Sequence, residues 1–229
     1  MAHNEPKTTS LNATRAETIA DYLRQAVRAG EYVSGERLVE LTLAQKFNVS
    51  QNTVRDALRI LEGEGWVVKH ARRGVYVRAY TSNEAEELYS LWATLEGLAL
   101  QWTVDAITKA DLARLRQMVA QAQTQFERGD TRGCTDLLFA FHKAVGRISG
   151  KTQTAALLTM LHNQVRLLET LRHMRTPRNL PQQNAHIAAY ERLLAALEAG
   201  DVDASQSCMS ALIMADCETL LPLLAAARF

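Results

Sequence analysis

The stretch that decides the fold runs from Asn48 to Glu62, N-V-S-Q-N-T-V-R-D-A-L-R-I-L-E. Ser50 stands where a hydroxyl can accept from an unpaired backbone N–H and so start a helix. Val54, Ala57, Leu58 and Leu61 then fall on one face of that helix, and Gly63 and Gly65 stop it. Downstream the period changes. Trp66-Val67-Val68 and Val75-Tyr76-Val77 read as two strands around a turn, Arg72-Arg73-Gly74. Upstream, Thr14 and Glu17 are spaced as a capping box, and Ile19, Tyr22, Leu23, Ala26 and Val27 line one face of a helix that Gly30 ends. A turn at Val33–Glu36 leads into a second, short helix over Leu38–Phe47. Three helices followed by a two-stranded hairpin with a basic tip predict a winged helix-turn-helix over residues 12–79.

From Ser82 onward the pattern is helical throughout. Helices are expected from Ser82, as cap, to about Ala106, over Thr108–Arg128, over Thr131–Ser149, and from Lys151 to about Met174. Pro177 and Pro181 bracket a loop; Leu180–Ala199 is the fifth helix, and Gly200-Asp201 turns into a sixth reaching about Ala226. Long helices joined by short turns predict an all-α antiparallel six-helix bundle over residues 82–227. The chain as a whole is therefore mostly α.

Composition narrows the function. At 229 residues, 47% hydrophobic and 22% charged, the chain reads as globular rather than disordered. Its apolar runs are short, the opening residues are polar, and three cysteines without a C-x-x-C argue for reduced thiols; a cytoplasmic protein with no membrane segment is expected. Charge is uneven. Residues 1–80 carry 12 Lys/Arg against 9 Asp/Glu, whereas residues 81–229 carry 14 against 16. Lys69–Arg78 holds four basic residues and no acid, as a nucleic-acid module would. There is no G-x-S-x-G, Gly-rich phosphate loop or C-x-x-C, so an enzyme is not expected.

Gly35–Glu40 (G-E-R-L-V-E), Leu43-Ala44, Val49–Trp66 and Arg72–Val77 together resemble the winged helix of GntR-type transcription regulators. The rear resembles the family's FadR/FCD-type ligand domain, through Glu87–Glu96 (E-L-Y-S-L-W-A-T-L-E), Phe141-His142 and Leu194–Asp201. The resemblance implies a homodimer on a palindromic double-stranded DNA operator, a repressor that responds to a small metabolite. It also implies DNA contacts by Arg37 and Arg55. Independently of it, a recognition helix reads bases from its first turn, here Ser50, Gln51, Asn52 and Thr53. Gln and Asn suit adenine, where Arg would suit guanine. Arg72, Arg73 and Gly74 form the wing tip, aimed at phosphates or the minor groove. Arg55 has Asp56 and Glu62 as rival partners, and Arg59 reads as a solvated helix residue.

In the ligand domain the resemblance implies a metal held by one Asp and three His. His142 matches the first His, but the other positions are Leu138, Tyr190 and Leu212, so no metal or other cofactor is expected. A rearranged set of His142, His162 and His186 is the alternative. Trp92 replaces an Arg that commonly holds an acidic effector. The expected effector-binding residues are His142, Tyr190, Trp92 and Arg166, with Glu169 as the rival partner of Arg166. The expected ligand is more apolar than a dicarboxylate: a monocarboxylate, aromatic acid or similar metabolite. The rival reading is a constitutive DNA-binding dimer whose helical domain binds no effector.

Overall fold

The computed structural model describes residues 7–175 and 179–226. Residues 1–6, Pro177 and the last residue of the expected helical domain, Ala227, lie outside them. The chain divides into two compact units. One runs to Tyr80 and includes residues 166–174 of a later helix; the other takes Thr81–Val165 and the chain from Arg175 on.

The first unit contains α1 (Lys7–Arg28), β1 (Arg37–Leu38), α2 (Glu40–Phe47), α3 (Gln51–Gly63), β2 (Val67–His70) and β3 (Gly74–Val77). α1 starts well before Thr14, which therefore lies within the helix rather than at its start. Ile19, Leu23, Ala26 and Val27 are buried, as their spacing requires, but Tyr22 is 39% exposed. Its ring meets Phe47 edge-on at 5.1 Å, under the Lys46 ammonium. α2 ends on Asn48 in the left-handed conformation, φ 50°. α3 begins where expected, Ser50 Oγ accepting from Thr53 N at 3.2 Å, and Val54, Ala57, Leu58 and Leu61 are its buried stripe. Arg24 on α1 ties this helix's end down through a forked pair to Glu64, at 2.7 and 3.2 Å.

The wing has three strands rather than two, in the order β1-β3-β2, all antiparallel. Arg37 pairs with Tyr76 and Leu38 with Val75 on one edge; Val67 pairs with Val77 on the other. The extra strand is two residues long, too short for any alternation to register in a sequence.

The second unit is a helical bundle: α4 (Ser82–Ala106), α5 (Lys109–Glu127), α6 (Thr131–Ile148), α7 (Thr152–Arg175, its last turns grouped with the first unit), α8 (Leu180–Ala199) and α9 (Val202–Ala225). Each junction has a local cause. Thr108 and Asp111 form a capping box on α5, Asp130 caps α6, Asn179 caps α8 and Asp201 caps α9. α8 begins at Leu180 as expected, with Pro181 in its first turn, where its missing N–H costs nothing. Gly200, φ 72°, turns α8 into α9. α9 is long and apolar enough to cross a membrane by length and mean hydropathy, and one face of it, Met209, Leu212, Ile213, Cys217, Leu220 and Leu224, is buried within the bundle. Cys134, Cys208 and Cys217 are not in disulfides, and burial, then the charges of Glu86, Glu218 and Asp216, push Cys217 up to about 11.

The cap of α4 is Thr81, not Ser82: Thr81 Oγ1 accepts from Glu84 N, and Glu84 reaches back to Thr81 N at 2.8 Å. Thr81→Ala is therefore expected to lower stability by about 0.5–2 kcal/mol, and Ser82→Ala by no more than a few tenths. Denaturant unfolding of the two variants side by side measures the difference; equal effects would return the cap to Ser82.

Candidate functional site

Two sets of side chains stand out, one in each unit. In the first, Gln51, Asn52 and Arg55 are exposed at the start of α3. Thr53 is placed differently from its neighbours: it is 5% exposed, its hydroxyl 2.9 Å from that of the exposed Ser50. Their oxygens are occupied in starting the helix that presents the others. Arg55 pairs with neither Asp56 nor Glu62. Its Nε donates to Glu40 of α2 at 2.7 Å, and its Nη1 to Asn52 Oδ1 at 3.3 Å. Such a half-exposed pair contributes ~0–1 kcal/mol, so its main effect is to aim the guanidinium. Arg59 pairs with Asp56 at 3.0 Å on the surface.

At the wing, Arg72 and Arg73 are exposed on the β2–β3 turn, which closes through Arg73 N to His70 O at 3.1 Å. Arg72 itself has a positive φ of 62°. Gly74, φ 109°, is packed under Arg37: a Cβ there would lie 3.0 Å from Arg37 Nε. The wing strand thus seats Arg37 as well as carrying its own arginines.

In the second unit the interior of the bundle holds a charge. Glu96, on the buried face of α4 with Tyr89, Trp92 and Thr103, is wholly inaccessible. Its Oε1 accepts from Trp92 Nε1 at 2.9 Å and from His162 Nε2 at 3.1 Å; its Oε2 takes His142 Nδ1 at 2.7 Å. The other nitrogen of His142 meets the Tyr190 hydroxyl at 2.8 Å. Burial alone would raise the Glu96 carboxyl, but the charges and hydrogen bonds of His142 and His162 outweigh it and hold it at about 2. Four helices, α4, α6, α7 and α8, meet at this one carboxylate network.

Of the expected effector residues, His142, Tyr190 and Trp92 come together here. Arg166 lies one turn past His162 on α7, half-buried. Its expected rival partner Glu169 is buried and takes Arg172 at 2.8 Å. Glu96 is the residue that sequence reasoning missed. A charged side chain on a stripe that otherwise reads Ala85, Tyr89, Trp92, Ala99 and Leu100 was the available signal.

The donor set does not suit a transition metal. Leu138 and Leu212 are buried hydrocarbon, and both nitrogens of His142 are engaged. His186 stands apart from His142 and His162, 3.6 Å from Asp216 with its ring against Tyr190. Among the described residues no group of three His, Cys, Asp or Glu side chains is arranged to hold an ion.

Residues 15–77 match the family model for bacterial regulatory proteins of the gntR family, and residues 87–215 match the FCD domain. The chain belongs to the GntR family, with an FCD domain behind its winged helix. It is a DNA-binding transcription regulator and not an enzyme. Among its relatives is the Escherichia coli regulator McbR, 25% identical over 82% of this chain and 84% of that one. The Bacillus subtilis gluconate operon repressor is 30% identical over 56% of this chain and 53% of its own length. An uncharacterised regulator of Bacillus subtilis, YdhC, is 28% identical, the match spanning only 48% of its length. Among solved structures, E. coli McbR superposes with a TM-score of 0.78 at 21% identity, covering 91% of this chain and 97% of that one. A GntR regulator from Rhodococcus sp. RHA1 gives 0.75 at 25% identity, covering 94% and 100%.

Two expectations follow for the regulator. Gly74→Ala forces a side chain into a left-handed conformation under Arg37, so it should cost about 1–3 kcal/mol and weaken DNA binding, read by unfolding and by electrophoretic mobility shift. Glu96→Ala should cost about 3–5 kcal/mol, because it leaves the buried imidazoles and the indole without their acceptor. Glu96 titrates lower folded than unfolded, so its contribution is complete above about pH 4.5 and is lost as pH falls towards 2. Urea unfolding across that window should show the gap between wild type and Glu96→Ala closing in acid. A gap that stays constant would mean the carboxylate is not the stabilising species.

Proposed function

We propose that this regulator is a cytoplasmic homodimer that represses transcription from a palindromic operator and is released by a small organic acid. The observation that carries the DNA reading is the exposed trio Gln51, Asn52 and Arg55 at the start of a capped α3, in the same unit as Arg37, Arg72 and Arg73. The uncharged pair suits adenine edges, and the arginines suit guanine or phosphate. Ser50, Thr53 and Gly74 support these contacts by holding the helix start and the wing in shape. The gluconate repressor among the relatives supports repression rather than activation.

The helical unit supports response to a ligand through His142, Tyr190 and Trp92, a polar group inside an otherwise apolar bundle, and we assign Arg166, one turn past His162 on α7, to the same response. One observation favours the rival reading of a constitutive dimer. Glu96, His142 and Tyr190 already satisfy one another, so a ligand at that point must replace bonds it breaks.

Footprinting tests the DNA reading. Arg55→Ala should abolish specific protection, and Gln51→Ala should cost about 1–3 kcal/mol at one base pair while sparing the rest. Wild-type protection by Arg55→Ala would sink it. Operator affinity measured against added salt should fall steeply, as expected when several phosphates are neutralised.

A further inference from the structure

Outside the buried network, the second unit has an open cleft of about 630 Å³ between α5, α6 and the start of α7. Its lining includes Arg114, Lys143, Arg147 and Lys151, with small and apolar side chains between them and His162 at its inner wall. Four cations at one concavity concentrate positive potential there, which favours an incoming anion. Among the described residues none of Arg114, Lys143 and Arg147 has an acid at ion-pair distance. Asp111 is the nearby acid: its Oδ2 is held by Thr108, at 2.6 Å from the hydroxyl and 3.1 Å from the backbone N–H, and its charge offsets part of that of Arg147 and Arg114. Lys151 rests over the Trp102 ring at 4.9 Å, a contact that orients it without neutralising it.

The second, independent observation is His162. It is 5% exposed, lines the cleft, and donates through Nε2 to Glu96. A ligand in the cleft would therefore lie one side chain away from the carboxylate that joins α4, α6, α7 and α8.

We propose that this cleft binds an organic oxyanion, a carboxylate or phosphate carried on an apolar body, and that His162 relays its presence to the Glu96 network. The proposal rests on the reading of the regulator as ligand-responsive and moves the acid's binding point from the interior to the cleft. The volume suits a ligand of that kind: pockets of about 300–1,000 Å³ hold small organic molecules by apolar area plus a few placed polar groups. The cations at the rim supply the charge selectivity.

The experiment is calorimetric titration of the full chain with 2-naphthoate, 1-naphthyl phosphate and, as the uncharged counterpart, 2-naphthamide. At least one anion should bind and the amide should not; which anion binds separates a carboxylate site from a phosphate site. Lys143→Met with Arg147→Met should weaken that binding about tenfold or more, equivalent to ~1.4 kcal/mol, with an unchanged thermal midpoint of the free protein and unchanged operator affinity. No binding by either anion, equal binding by the amide, or unaltered affinity in the double variant would each overturn the cleft. Operator affinity measured with and without the bound anion separates the two readings. Binding lost in the double variant with no operator response keeps the cleft and removes the ligand-responsive reading. An operator response that survives in the double variant keeps that reading and removes the cleft. His162→Asn, which retains a donor but cannot carry a charge, should leave anion binding within a few-fold and reduce the operator response; an undiminished response would remove the relay.

Discussion

A single buried carboxylate constrains the helical unit more than any other feature. Glu96 is fully enclosed and accepts from three side chains on three different helices. An isolated ionised carboxylate in such surroundings would be prohibitively costly. It is tolerable only while the bonds from Trp92, His142 and His162 all hold, so the positions of α4, α6 and α7 are tied to one another. Tyr190, through His142, ties in α8. Hydrocarbon packing against Leu193, Leu194 and Met209 drives the bundle together, but it tolerates sliding. The carboxylate does not, because its donors have fixed directions. Buried polar groups are often neutral or unfavourable to stability compared with an apolar core, and what this one adds is a unique arrangement.

The DNA-binding unit is governed by small geometric permissions rather than by one charge. α3 can begin abruptly because Ser50 and Thr53 spend their hydroxyls on its first turn. Arg55 can project from that turn because Glu40 on α2 anchors one edge of its guanidinium. Arg37 can lie flat on the wing because the residue beneath it is Gly74. In each case the group available to DNA is exposed, and the group that positions it is a neighbour of another kind. Thr53 illustrates the distinction: it shares the first turn with Gln51 and Asn52, yet faces inward.

Much of this was legible in the sequence, for identifiable reasons. The stripe of Val54, Ala57, Leu58 and Leu61, the breaks at Gly63 and Gly65, and the long helical periods of the rear are local signals that tertiary packing did not override. Boundaries were less secure. Thr81 and Ser82 are both good caps, and only the reach of Glu84 back to Thr81 N decides between them. β1 is too short to leave a pattern, since its existence depends on β3 lying alongside. The rival partners offered for Arg55, Asp56 and Glu62, lie in its own helix, whereas Glu40 comes from another element, and nothing in a linear spacing reports that. Glu96 escaped because single-sequence reading assigns acids to the surface. Its position on the Trp92 stripe was visible, but the donors that make it tolerable arrive from positions 46 and 66 residues further along the chain.

The same carboxylate bears on where an acidic ligand can go. A second anion beside Glu96 would face its charge at short range in a poorly screened interior, where such repulsion is least attenuated. The replacement of family ligands by Leu138 and Leu212 supplies no compensating cation there. Four cations of this unit, Arg114, Lys143, Arg147 and Lys151, instead line the cleft, with His162 forming the wall between the two regions. That ring already bonds to Glu96, and an anion bound in the cleft it lines would act on it as well, stabilising the liganded arrangement over the free one. A conformational equilibrium responds only to such differential stabilisation, so the unit can sense an acid from outside its core without opening the network that holds its helices in place.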